Sequence, residues 1–186
     1  MKIGIISDTH GSLERWELAY KKYFAQTEMI LHAGDVLYHG PRNPVLADYA
    51  AKDLSEALNS CPVPLICARG NCDADVDASV LKMPLQSPYA FVEINGKRIL
   101  LAHGDKNLTP ESKVAAAQAV KADIFISGHT HIAMLEEWYG VILLNPGSPS
   151  LSKRADGRAT IAMMDEEKIQ EIDLDSDEIL AEMPLA

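Results

Sequence analysis

Four segments of the chain share one pattern, a short and nearly unbroken apolar run that gives way abruptly to a polar cluster. Lys2–Ser7 (KIGIIS) leads into DTHGS, Met29–Ala33 into GD, Pro64–Ala68 into RGNCD and Ile124–Ser127 into GHTH. Short continuous apolar runs read as strands covered on both faces. Helical stripes lie between them. Ser12 is placed to cap a helix whose apolar side is Leu13, Trp16, Tyr20, Tyr23 and Phe24. Leu46, Ala50, Leu54, Ala57 and Leu58 form a second stripe, and Thr109-Pro110 opens a third helix through KVAAAQAVK. In YAFVEINGKRILLAH, Asn95-Gly96 suits a type I′ turn and predicts a hairpin. After GHTH the helical pattern stops, and MLEEWYGVILLN, RATIAMM and KIQEIDL read as further strands. These elements predict an α/β domain of two packed sheets with helices outside.

Polar clusters at the ends of inner strands fall where open α/β sheets bind ligands. Asp8 and His10 stand two residues apart, as do His129 and His131, so each pair is expected to point to one side of an extended segment. Asp35 follows Gly34, Asn71 follows Gly70, and His103 ends the second hairpin strand. Singly these are ordinary features: a helix cap, two turns, a packed histidine. Together they are two carboxylates, four imidazoles and one amide oxygen, presented by separate strand ends. That is more than one ion can use but suits two ions sharing a carboxylate, an arrangement fitted to in-line displacement at phosphorus. Mixed nitrogen and oxygen donors without thiolate fit Mn, Fe, Ni, Co or Zn.

Composition narrows the class. At 186 residues, 47% hydrophobic and 24% charged, the chain reads as one globular domain over 1–186. The net charge of −10 is concentrated toward the end of the chain: from Asp165 onward Lys168 is the only cation, and the stretch from about residue 175 reads as a solvated tail or edge. No broad basic surface for nucleic acid is expected. No apolar run is long enough to span a membrane, and MKIGIISDTHG has no signal-peptide pattern, so a cytoplasmic location is expected. Cys61, Cys67 and Cys72 form no disulfide framework; the first two read as small core residues.

The order DTH, GD, GN, HG, GHTH across residues 8 to 131 resembles the calcineurin-like metallophosphoesterase superfamily. GNCD and Asn145-Pro-Gly-Ser148 resemble its small bacterial branch, the YfcE-type phosphodiesterases. The resemblance implies a four-layer α/β/β/α sandwich with a dinuclear, often manganese-loaded centre. By position, Asp8, His10 and His131 would hold one metal, Asn71, His103 and His129 the other, and Asp35 would bridge. It implies a phosphodiesterase acting on small organic phosphodiesters by attack of a metal-bridging hydroxide. A phosphomonoesterase or nucleotide hydrolase on the same centre is the alternative. A protein-interaction scaffold like the Vps29 retromer subunit is a further one, disfavoured because every metal-site position is kept.

One position departs from the family. Where many relatives carry His after the GN motif, this chain has Cys72, a weak donor in place of a general acid. An enzyme built this way is expected to depend on good leaving groups. Around the motifs, His32 reads as a packed residue, and His39 in LYHGPRNP as a residue of the pocket rim. Arg42, Arg69, Lys153 and Arg154 are cations available to a phosphate. Ser148 reads as a turn residue or a donor near the site, and Trp16 and Trp138 as packing. A homodimer is the base-rate expectation, with loop 36–45 a candidate cover for a pocket or interface.

Overall fold

The computed structural model describes residues 1–185. Along the chain run β1 (Ile3–Ile6), α1 (Leu13–Lys22), β2 (Met29–His32), α2 (Ala51–Asn59), β3 (Leu65–Ala68), α3 (Asp77–Val80), β4 (Leu85–Gln86), β5 (Ala90–Ile94) and β6 (Lys97–Leu101). Then follow α4 (Pro110–Ala119), β7 (Ile124–Ile126), β8 (Met134–Trp138), β9 (Val141–Asn145), β10 (Thr160–Met164), β11 (Lys168–Asp173) and β12 (Ile179–Pro184). They form a seven-stranded sheet, ordered β12-β11-β10-β1-β2-β3-β4, and a five-stranded sheet, ordered β5-β6-β7-β9-β8.

Both sheets are mixed. β1, β2, β3 and β4 run parallel in the first, and β6, β7 and β9 run parallel in the second. Between the sheets lie Ile3, Ile5 and Leu31 from one and Ile99, Leu101, Ile124, Ile126 and Leu144 from the other. A second core joins Trp16, Phe24, Leu54 and Leu58 to the outer face of the first sheet, and a third packs Val114 and Ala117 of α4 on Leu100, Phe125 and Leu143. Helix, sheet, sheet, helix is the expected four-layer order. The parallel strands are buried on both faces, which is why their sequences are apolar runs without alternation.

Local signals explain the element ends. Ser12 Oγ accepts from Arg15 N at the start of α1, and Thr109 with Ser112 makes a reciprocal capping box on α4, whose first residue is Pro110. Asn95 (φ 53°) and Gly96 (φ 73°) turn the β5–β6 hairpin as expected. The second helical stripe needs correction. Leu46 and Ala50 precede α2, because Ala50 N donates to Gly11 O (2.8 Å) and Tyr49 pairs with Ser12 in a β-bridge. The acidic C-terminal stretch is an edge: β12 closes the first sheet against β11. Cys67 is fully buried and Cys61 partly so. Among the described residues no helix is long and apolar enough to cross a membrane.

Candidate metal centre

The ends of β1, β2, β3, β6 and β7 open on one spot between the two sheets, and the seven donors meet there. Asp8 Oδ1 lies 3.3 Å from His131 Nε2 and 3.7 Å from His10 Nε2. Asp35 Oδ2 lies 3.7 Å from His10 Nε2 and 3.3 Å from His103 Nε2. His103 Nε2 in turn stands 3.1 Å from Asn71 Oδ1 and 3.3 Å from His129 Nδ1. Asp8, His10, Asp35, His103 and His131 are buried, whereas His129 is half-buried and Asn71 exposed. Three groups could hold a cation: Asp8 with His10 and His131, Asp8 with Asp35 and His103, and His10 with Asp35 and Cys72.

The backbone reaches this arrangement differently from the extended pairs expected. Asp8 (φ 54°), His10 (φ 47°), Asp35 (φ 56°), His129 (φ 68°) and His131 (φ 59°) are all left-handed. Such residues cost on the order of 1–3 kcal/mol each and persist where the surroundings over-determine them. Here Asp8 N donates to Gly34 O and His10 N to Asp35 O, both at 3.0 Å, and His129 N donates to Asp8 Oδ2. An extended segment would spread the donors in a row; a left-handed residue at each step folds the chain back and converges them. Two glycines permit the close approach, since a Cβ on Gly70 would overlap Asp35 and one on Gly128 would overlap Ser7 and Asp8.

The imidazoles are oriented from behind. His10 Nδ1 donates to Tyr38 O (2.7 Å), His131 Nδ1 to Leu151 O (2.6 Å) and His103 Nδ1 to Ala33 O (2.9 Å), which turns each Nε2 toward the cluster. That is the tautomer a metal-binding histidine takes. Burial pushes the Asp8 carboxyl up, yet the close imidazoles of His10, His131 and His103 hold it well below the usual carboxylate range. Burial favours neutral His103, but Asp35 outweighs it and raises the imidazole to about 9. Asp8 Oδ1, fully buried, has no hydrogen-bond partner. An anionic oxygen without a partner among imidazole nitrogens is a donor set that fits a divalent cation.

The surrounding residues divide clearly. His32 is packed as expected, donating to Thr9 Oγ1 and accepting from Gly34 N, and burial lowers it to about 4. Ser148 Oγ donates to the carbonyl of Asp8 (2.8 Å), so it braces the loop rather than facing the pocket. His39 sits between Tyr38, tilted to it at 60°, and Tyr49, edge-on at 89°, and is not among the residues lining the cavity over the centre. Arg69 and Arg154 are paired with Asp75 and Asp156. Arg42 and Lys153 line a cavity of about 770 Å³ over the centre, whose floor includes Asp35, Asn71, Cys72, His129 and His131. Cys72 N donates to Asp35 Oδ1, and burial together with the Asp35 charge pushes the thiol up to about 12, so it stays neutral. Trp16 and Trp138 pack in the cores.

Sequence reasoning missed Ser7, which donates to Asp8 Oδ2 (2.6 Å), and the structural role of Asp73, whose carboxylate accepts from Asp35 N, Val36 N and Gly70 N. The polar residues next to DTH and GN were the available signal. The carbonyls of Tyr38 and Leu151 had none, because a backbone acceptor carries no residue signature.

The family model of the calcineurin-like phosphoesterase superfamily domain matches residues 1–168. Phosphodiesterase YfcE of Escherichia coli (strain K12) is 35% identical over all of this chain and 98% of its own length. A probable metallophosphoesterase of Methanothermobacter thermautotrophicus is 30% identical over 91% of this chain and 89% of its own. The solved structure of YfcE, a phosphoesterase from E. coli, superimposes with a TM-score of 0.88 at 32% identity, covering both chains fully. Vacuolar Protein Sorting 29 from Cryptosporidium parvum shares the fold at a TM-score of 0.70 and 22% identity, with all of this chain and 97% of that one covered. The strand ends, the motif order and these likenesses agree, and the chain belongs to the calcineurin-like phosphoesterase superfamily.

Proposed function

We propose that the chain is a phosphodiesterase of small organic phosphodiesters, working at a pair of divalent ions. Asp8, His10 and His131 hold one ion, Asn71, His103 and His129 the other, and Asp35 is shared. The observation that carries this reading is the position of Asp35 Oδ2, which lies 3.7 Å from His10 Nε2 on one side and 3.3 Å from His103 Nε2 on the other. Bound ions, manganese first with Fe, Ni, Co and Zn suited to the same donors, supply Lewis acidity at phosphorus and acidify the attacking water.

The chain's own residues do the rest. The carbonyl anchors on His10, His103 and His131 fix the donor geometry before substrate arrives, so little reorganisation accompanies the reaction. Arg42 and Lys153 stand on the cavity wall and favour an anion at its mouth. The two aspartates are the only acids among the seven donors, which leaves a doubly charged ion pair net positive toward a diester monoanion. Cys72, neutral and at the usual position of an acid, supplies no proton to the leaving group. This favours diesters with stable leaving groups over monoester dianions, which call for more positive charge and an acid. Three free thiols suit a reducing compartment, in keeping with a cytoplasmic enzyme.

The test is metal analysis of the purified protein together with a panel of 4-nitrophenyl phosphodiesters and monoesters. The parent is expected to carry two equivalents of metal and to prefer the diester. Asp35→Ala is expected to lose activity and metal together. A metal-replete, fully active Asp35→Ala protein refutes the assignment.

A further inference from the structure

The wall of the catalytic cavity continues into a second cleft of a different character. This cleft, of about 490 Å³, shares Tyr38 and Ala74 with the cavity over the metal centre, and Leu37, Tyr49, Val76 and Val80 give it an apolar lining. Val76 is 66% exposed, Val80 47% and Tyr38 40%. Exposed apolar side chains gathered in one concave place mark a binding surface, where scattered ones would not. On the other side, Asn43 and Lys153 link the catalytic cavity to a smaller space of about 370 Å³ bordered by Ser150 and Ser152. The phosphoryl site therefore lies between an apolar cleft and a smaller space reached past Asn43 and Lys153, whose border mixes Ser150 and Ser152 with Pro44 and Leu151.

Both walls of the apolar cleft are tied to the centre. The Tyr38 carbonyl accepts from His10 Nδ1 (2.7 Å), so the same residue orients a donor imidazole and carries a ring into the cleft. Opposite it, the Asp73 carboxylate accepts from Asp35 N and Val36 N, and the next residue, Ala74, donates from its N–H to Asp77 Oδ2 (2.8 Å) at the start of α3. Val76 and Val80 are thus held at a fixed offset from Asp35. An occupant of the cleft would be registered against the phosphoryl site without ordering a loop, and such preorganisation increases affinity.

A phosphodiester has two ester arms, and the two spaces beside the phosphoryl site differ: one is walled by Tyr38, Val76 and Val80, the other is entered past the amide of Asn43 and the ammonium of Lys153. We infer that the substrate is an unsymmetric phosphodiester whose aryl or alkyl arm lies in the Tyr38–Val76–Val80 cleft while a hydroxylated or otherwise polar arm follows Asn43 and Lys153. This rests on the phosphodiesterase reading and adds the substrate class. Tyr38, Val76 and Val80 are then specificity residues, remote from the reacting atoms.

The experiment is competitive inhibition of the metal-loaded protein by dimethyl phosphate and by methyl hexyl phosphate, with bis(4-nitrophenyl) phosphate as reporter. The hexyl ester is expected to inhibit about tenfold or more strongly, well below what its added methylenes would give if fully buried. Val76→Asp and Val80→Asp are each expected to return its Ki toward that of dimethyl phosphate. Tyr139→Asp, at the 78% exposed tip of the β8–β9 turn, is expected to keep the preference. The methyl resonances of Val76 and Val80 should shift with the hexyl ester and stay in place with dimethyl phosphate. Equal inhibition by the two esters, or a preference that survives both substitutions, overturns the inference while turnover of the reporter leaves the phosphodiesterase reading intact. Absence of turnover with every diester removes both. A dimer that Val76→Asp dissociates, with no chain-length preference in the parent, makes the cleft an interface between copies and overturns the inference.

Discussion

Two buried carboxyl groups in this protein differ in charge: Asp8 is ionised, and Glu171 is driven toward the neutral acid. Asp8 is 0% exposed and Glu171 3%, and each has one oxygen without a hydrogen-bond partner among the described residues. Burial pushes both acids toward the neutral form. Around Asp8 the close imidazoles of His10, His131 and His103 reverse that push and keep the carboxylate ionised. Glu171, in β11 opposite Ala162 and Ala181, has only the charge of Arg154 to draw on, and that guanidinium is already engaged by Asp156. Burial wins there and raises Glu171 to about 7. Depth in the fold therefore says nothing about charge until the partners are counted. The free oxygen on Asp8 faces imidazole nitrogens as an anion; the one on Glu171 is the address of a proton.

The contrast can be broken most severely at Asp8. Asp8→Asn keeps the shape and removes the anion, and its metal content and diester hydrolysis are expected to fall to those of the metal-stripped parent. A metal-loaded, active Asp8→Asn protein would make the free oxygen irrelevant. At Glu171 the effect is on stability and depends on pH. Its pKa in the fold lies above its unfolded value of 4.5, so the protonated acid is what the fold favours; that contribution is complete below about 4.5 and is lost as pH rises through about 7. Glu171→Gln removes the loss and should stabilise the protein by up to about 3 kcal/mol at pH 8 and by almost nothing at pH 4. Urea unfolding at the two pH values reads this directly, and an equal gain at both would show that titration is not the cause.

Smaller effects sharpen the picture around Asp8. Cys72→His restores an acid at the cavity floor and should speed hydrolysis of alkoxide-leaving diesters by about 10²-fold while scarcely changing 4-nitrophenolate release. A plot of rate against leaving-group pKa should flatten, and an unchanged slope counts against the neutral-thiol explanation. Ser7→Ala removes the 2.6 Å hydrogen bond to Asp8 Oδ2. It should weaken metal binding by about tenfold, measured by chelator competition, because residues behind a ligand fix its direction.

The convergence of seven polar side chains was legible in the sequence because the chain places Asp, His and Asn at the ends of apolar runs that become neighbouring strands. Two packed sheets with helices outside followed from uninterrupted strands, a Ser12 cap and the Thr109-Pro110 start, and the family resemblance added the four-layer order. The backbone geometry was not legible. Five of the seven donors stand at positive φ, and Asp and His carry no mark of that conformation comparable to glycine's. The short α3 and β4 lacked enough periodicity to be seen. Leu46 and Ala50 matched a helical spacing, but a β-bridge and the Gly11 carbonyl claimed their segment first. Glu171 gave no warning either: in KIQEIDL it looks like one more acid on a solvated strand, and its burial follows from the register of β10 and β12 on either side.

The last strand of the seven-stranded sheet has a bearing on crowding. An open sheet margin is a template for backbone pairing with a neighbouring molecule. Here that margin is β12, which carries Glu182, follows Asp175, Asp177 and Glu178, and finishes at Pro184. Two copies approaching side by side would bring like charges together and meet a residue with no amide hydrogen to give. The same residues that make the chain acidic thus guard it against fibrous growth, and the guard should weaken in acid, where the carboxylates take up protons.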